Sequence, residues 1–158
     1  MARDRGDLDR ARSLFEECLA VSREIKNKSL EAQASVNLGH VAYIEGDYRS
    51  ARSLYRASLA IYRDLGNQEG VAACLRSFAA LAVKEDRAKH ASRLWGAAEA
   101  LYEAIGVPLP TNEPWSHPQL LAAARQVLGD GAFEAAWAAG RAMTIEQAVA
   151  NALGKAEA

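Results

Sequence analysis

Apolar residues recur every three or four positions along most of the chain, with polar residues between them, which is the period of helices that bury one face. Leu8, Ala11, Leu14, Phe15, Cys18, Leu19 and Ile25 predict a first helix over about 7–25, capped by Asp7. Ala34, Leu38, Val41 and Ala42 mark a second over about 30–45, stopped by Gly46. Asp47 caps a third, to about 65, carrying Tyr48, Ala51, Leu54, Tyr55, Leu59 and Tyr62. Val71, Cys74, Leu75, Phe78 and Ala82 predict a fourth over about 69–84. A fifth, opened by Asp86 and ending near 105, carries Ala91, Leu94, Trp95, Ala98, Leu101 and Tyr102. The expected class is all-α.

These helices repeat. Gly6-Asp7 returns 40 residues later as Gly46-Asp47, and Asp86 stands another 40 residues on. At the same interval Ala11, Ala51 and Ala91 coincide, as do Leu14, Leu54 and Leu94, Phe15, Tyr55 and Trp95, and Ile25, Leu65 and Ile105. Leu38 aligns with Phe78, Gly39 with Ala79 and Ala42 with Ala82. A fixed period with matched small and aromatic positions implies units that bury their apolar faces on one another. The repeat region is expected over 1–105. Taking helix, Gly-Asp turn, helix as the unit, complete units run over about 29–65 and 69–105. The first helix is then the second half of a unit, so the sequence is expected to start in mid-repeat, with Leu8, Phe15 and Cys18 requiring cover from a preceding helix or another chain.

Beyond Ile105 the period fails. Pro108, Pro110 and Pro114 predict a Pro-rich link over 106–116, because proline cannot continue a helix. Residues 117–158 are expected to form an atypical helical cap. Its first helix follows Ser116-x-x-Gln119 to about 128, its second spans about 132–139 after Gly129-Asp130-Gly131, and its third spans about 145–153 behind the capping box Thr144-x-x-Gln147. Trp115 has no periodic duty and is expected either to pin the link or to stand partly exposed.

Composition narrows the chemistry. Half of the 158 residues are hydrophobic, enough for a core, and 19 Lys and Arg face 20 Asp and Glu. That balance lacks the basic excess on which phosphate-backbone binding relies, so no direct nucleic-acid partner is expected. No apolar run is long enough to span a bilayer and residues 1–9 hold no apolar leader core, so no membrane partner is expected and the location expected is cytoplasmic. Cys18 and Cys74 belong to no CxxC motif and are read as small buried thiols. His40, His90 and His117 lack a ligand spacing for metal. No nucleophile–base pair or phosphate-binding loop stands out, so the chain is read as no enzyme, with no cofactor.

The order Leu38-Gly39, Ala42, Gly46-Asp47-Tyr48, Ala51-x3-Tyr55 resembles the tetratricopeptide repeat. The resemblance implies a tetratricopeptide-like antiparallel helix-hairpin array, a right-handed superhelix, closed by the C-terminal helical cap. The tail is more particular. Leu94-Trp95-Gly96-Ala97-Ala98-Glu99-Ala100-Leu101, Ile105-Gly106-Val107-Pro108-Leu109-Pro110, Leu128-Gly129-Asp130-x2-Phe133-x3-Trp137-x2-Gly140-Arg141 and Thr144-x-Glu146-Gln147-Ala148-Val149 resemble the ending of large bacterial signal-transduction ATPase regulators of the LuxR type. The resemblance implies the C-terminal sensor or scaffold arm of a transcriptional regulator. The ATPase and DNA-binding segments of such regulators have no counterpart in this sequence.

The function implied is capture of a protein or peptide in a concave groove lined by the first helix of each unit. The candidates are Gln33, Asn37, His40 and Tyr43 on one helix, and Arg76, Ser77 and Lys84, with Ala73 and Ala80, on the other. In tetratricopeptide repeats that capture peptides, an Asn placed like Asn37 hydrogen-bonds the peptide backbone; an amide both donates and accepts. For Asn37 a helix-to-helix hydrogen bond or plain solvation stands equally open, for His40 a packed or exposed imidazole, and for Arg76 and Lys84 a solvated cation. A dicarboxylate clamp is not matched, because Val36 and Ala80 occupy positions where polar clamp residues belong. Two rival readings remain: a free-standing scaffold that homodimerises through the first helix, and a small-molecule sensor with a pocket between repeats and cap, near Trp115.

Overall fold

A computed structural model describes residues 2–110 and 118–154, with side chains from residue 5 onward. The described residues form eight helices and no strand: α1 (Ala2–Glu24), α2 (Lys28–Ile44), α3 (Tyr48–Leu65), α4 (Gln68–Lys84), α5 (Ala88–Ile105), α6 (Pro118–Leu128), α7 (Asp130–Arg141) and α8 (Ile145–Ala152). The protein is an all-α, tetratricopeptide-like helical-repeat array, as the period and the turn pattern predict. It divides into two compact units, Met1–Gly66 and Asn67–Ala158. Among the described residues no helix is long and apolar enough to cross a membrane.

The turns explain why the helices stop where they do. Lys26, Gly66 and Gly106, 40 residues apart, all take left-handed φ angles of 58, 69 and 73°, and Gly46 and Asp86 form a second such set at 81 and 60°. Left-handed residues close helices because the following N–H groups can turn back to the last carbonyls. Asp47 N bonds Ala42 O at 2.9 Å, and Arg87 N bonds Ala82 O at 2.8 Å. Asn27, Asp47 and Asn67 then open the next helix, their side chains accepting from the N–H groups of Leu30, Ser50 and Gly70. Asp86, expected to open the fifth helix, instead takes the place of Gly46, and Arg87 stands at the cap without a side-chain capping hydrogen bond. Gly6-Asp7 forms no turn: α1 runs through it from Ala2, so Asp7 is no cap. A single glycine costs a helix about 1 kcal/mol, too little to stop a long one.

In the first unit α2 packs on both α1 and α3. A β-carbon on Gly39 would come within 2.5 Å of the Tyr55 ring, so glycine is what lets α2 and α3 close together. Tyr55 and Leu59 are wholly buried there, and Ser58 Oγ donates to Ala32 O at 2.8 Å, satisfying a buried hydroxyl. Helix α1 carries two apolar stripes. Leu8, Ala11, Phe15 and Leu19 are half-buried, whereas Leu14, Val21 and, in the turn just past the helix end, Ile25 are 59, 46 and 60% exposed. Cys18 lies on the outer stripe and is exposed, contrary to the expectation of a buried thiol, because its equivalents Ser58 and Ala98 are covered by helices that have no counterpart, among the described residues, against that side of α1.

The second unit is built on the α4–α5 hairpin, with α7 laid along α5 and α6 and α8 beside them. Leu75, Leu81, Leu94, Ala98 and Tyr102 form its centre, and Cys74 is buried as expected. Helix α7 exceeds its predicted span by two residues at each end. The Thr144–Gln147 capping box is formed at α8. The proposed Ser116 cap and the role foreseen for Trp115 lie outside the described residues.

Candidate functional site

Gln33, Asn37, His40 and Tyr43 follow one another along α2 at intervals of three and four, one stripe of the helix. Their environments differ. Gln33 is exposed, Asn37 and Tyr43 are half-buried, and His40 is only 6% exposed. The His40 ring lies 5.5 Å from the Tyr55 ring at a tilt of 58°. Burial pushes its pKa down to about 3, so the imidazole is neutral at physiological pH. Tyr43 pairs with Tyr48 at a ring separation of 5.8 Å, and burial, helped by the neighbouring Tyr48, pushes its phenol up to about 12. The stripe thus offers amide and phenol groups at its surface and no ionic charge, which suits uncharged hydrogen-bond recognition.

Helix α4 holds the other three candidates in the second unit. Lys84 is exposed. Arg76 is 7% exposed; its Nη2 donates to Pro110 O at 3.0 Å and its guanidinium lies 5.9 Å from the Tyr102 ring centroid. Arg76 therefore ties the stretch after α5 back onto α4. Ser77 is buried and donates to Ala73 O, one turn earlier, at 3.1 Å. The sequence held a signal for this bracing role that the groove reading did not use. Arg76 stands 40 residues after Val36, a core position.

A second recess lies wholly within the second unit. Helices α5, α6 and α7 border an open cavity of about 600 Å³, walled by Leu121, Phe133 and Trp137 and rimmed by Glu99, Arg125 and Arg141. Among the described residues no three or more His, Cys, Asp or Glu side chains are grouped to hold a metal ion.

A tetratricopeptide repeat family model matches residues 1–64, almost the whole of the first unit and all of the α2 stripe. Repeats of that family are non-catalytic and generally mediate protein–protein interaction. No curated protein and no solved structure matches the chain.

Proposed function

We propose that the chain is a non-enzymatic protein- or peptide-binding repeat module whose contact surface is the Gln33, Asn37 and Tyr43 face of α2. The observation that carries the reading is the pair of accessible amides one helical turn apart, Gln33 and Asn37, inside the segment that matches the repeat family. Two amides at that spacing can each donate to and accept from an extended peptide, whose own N–H and C=O groups otherwise lose water on docking. Contact through His40, Arg76 or Ser77 would require those side chains to leave their present packing. The likeness of the tail to bacterial regulators supports a role as the sensor or scaffold arm of a cytoplasmic transcriptional regulator, in which an occupied face biases contacts within the parent protein. The test is selection of peptides from a random displayed library, followed by calorimetric titration. Asn37→Ala is expected to weaken the best peptide about tenfold with the melting temperature unchanged; equal affinity in the variant would remove α2 from the account.

A second reading rests on the outer stripe of α1. Leu14, Cys18, Val21 and Ile25 recur at heptad-like intervals and are exposed. A two-fold axis beside Cys18 would set Leu14 of one copy against Val21 of the other, giving a homodimer. Light scattering decides it: a dimer at micromolar concentration that Leu14→Glu converts to monomer supports it, and a monomer throughout rejects it.

A further inference from the structure

We propose that the cavity between α5, α6 and α7 binds a lipophilic organic cation. This site shares no residue with the α2 face, and the inference does not depend on peptide binding there. The cavity, about 600 Å³, falls within the range of small-molecule pockets. Its walls are apolar and aromatic, with Trp137 and Phe133 rings 5.5 Å apart. An apolar body would therefore lose water from the side it lays against these walls.

The sign of the ligand's charge follows from the side chains around it. Glu99, at the α5 wall, accepts from Trp137 Nε1 at 3.4 Å and from Arg141 Nη1 at 2.6 Å. Arg141 also donates to Glu103. On the opposite side Arg125 donates to Asp130 at 2.8 Å and to Glu134 at 3.0 Å, and lies 4.8 Å from the Phe133 ring centroid. Each guanidinium thus already holds two carboxylates: Glu99 and Glu134 line the cavity with the two arginines, and Glu103 and Asp130 stand outside it. An arriving anion meets guanidiniums already paired with two carboxylates apiece, and the six charged groups together are net negative. A cation meets spare carboxylate lone pairs and the Trp137 indole, the strongest aromatic partner for a positive charge. The Phe133 ring is taken by Arg125, which leaves Trp137 with Glu99 as the cation's seat.

Calorimetric titration with tetraphenylphosphonium and with tetraphenylborate, ions of like shape and opposite charge, tests this on the intact chain. One equivalent of the phosphonium is expected to bind, with the borate at least about tenfold weaker. Glu99→Gln, which keeps the shape, should weaken the phosphonium about tenfold. Should that variant lose its fold by circular dichroism, Glu134→Gln, at an exposed rim position, is expected to weaken binding in the same direction. Equal affinity for both ions, a preference for the borate, no phosphonium binding, or insensitivity to the folded variants would each overturn the proposal.

Discussion

Gly140 of α7 lies against the main-chain carbonyl of Arg93 on α5, with no room for a β-carbon. Gly96 of α5 meets the carbonyl of Trp137 on α7 in the same way. The two helices therefore touch backbone to backbone at two points, through one glycine from each. That contact sets Trp137 and Arg141 beside Glu99 and so shapes one wall of the cavity.

Replacing either glycine by alanine sets two effects against each other. Alanine favours a helix by about 1 kcal/mol over glycine. Overpacking costs about 1–3 kcal/mol, and here the atom struck is backbone, which cannot swing aside. Gly96→Ala and Gly140→Ala should each lower the melting temperature of the second unit by several degrees. Gly131→Ala, with open space around it, should not lower it. Melting curves of the three variants check this; a stabilised Gly140→Ala would mean that the helices are not in contact at that point.

Acid should weaken the first unit through His40. Its pKa is depressed from 6.5 to about 3 when folded. The unfolded chain therefore takes up the proton first, and stability falls as pH drops below the ordinary histidine value, with a slope of at most about 1.4 kcal/mol per unit. Above that value the contribution is flat. Urea unfolding from pH 7 to 5, above the range of most carboxylates, should show the slope in the native protein and a smaller one in His40→Phe.

Lys26 holds a left-handed φ of 58° at a position where the repeats 40 and 80 residues on have Gly66 and Gly106. A side chain there costs about 1 kcal/mol or more, against a smaller entropic penalty for glycine. Lys26→Gly should raise the melting temperature of the first unit, and Gly66→Ala should lower it. Asp86→Gly should gain less, because Asp tolerates that region better.

The two thiols should react at very different rates. Cys18 is exposed and Cys74 wholly buried. A disulfide reagent added to native protein should label one thiol at once and the second only as fast as the second unit opens. In Cys18→Ser the fast phase should vanish and the slow one remain.

What the sequence made legible was whatever depends on local spacing. Apolar residues at three and four, the Gly46-Asp47 turn and the Thr144 capping box belong to single helices and appear as read. Asp86 lies in a turn but one residue before the cap, and Gly6-Asp7 carried the right residues in a helix long enough to absorb them. Contacts that depend on which helix lies opposite were harder to see. Cys18 shares its repeat position with two buried residues, yet nothing in its own neighbourhood says that no described helix covers that side of α1. Gly96 and Gly140 stood out only as motif letters, because a close crossing between helices 44 residues apart leaves no periodic mark. Arg76 read as a groove cation by its charge; its register with Val36 pointed to the interior.

The most direct test of the peptide-binding account is a nitrogen–proton correlation spectrum of the labelled chain, titrated with the tightest peptide from the library selection. The account predicts shifts concentrated at Gln33, Asn37 and Tyr43 along α2, with Asn37→Ala moving the titration midpoint to about tenfold higher peptide concentration. Shifts confined to the outer stripe of α1 or to α6 and α7, with α2 unmoved, would contradict it.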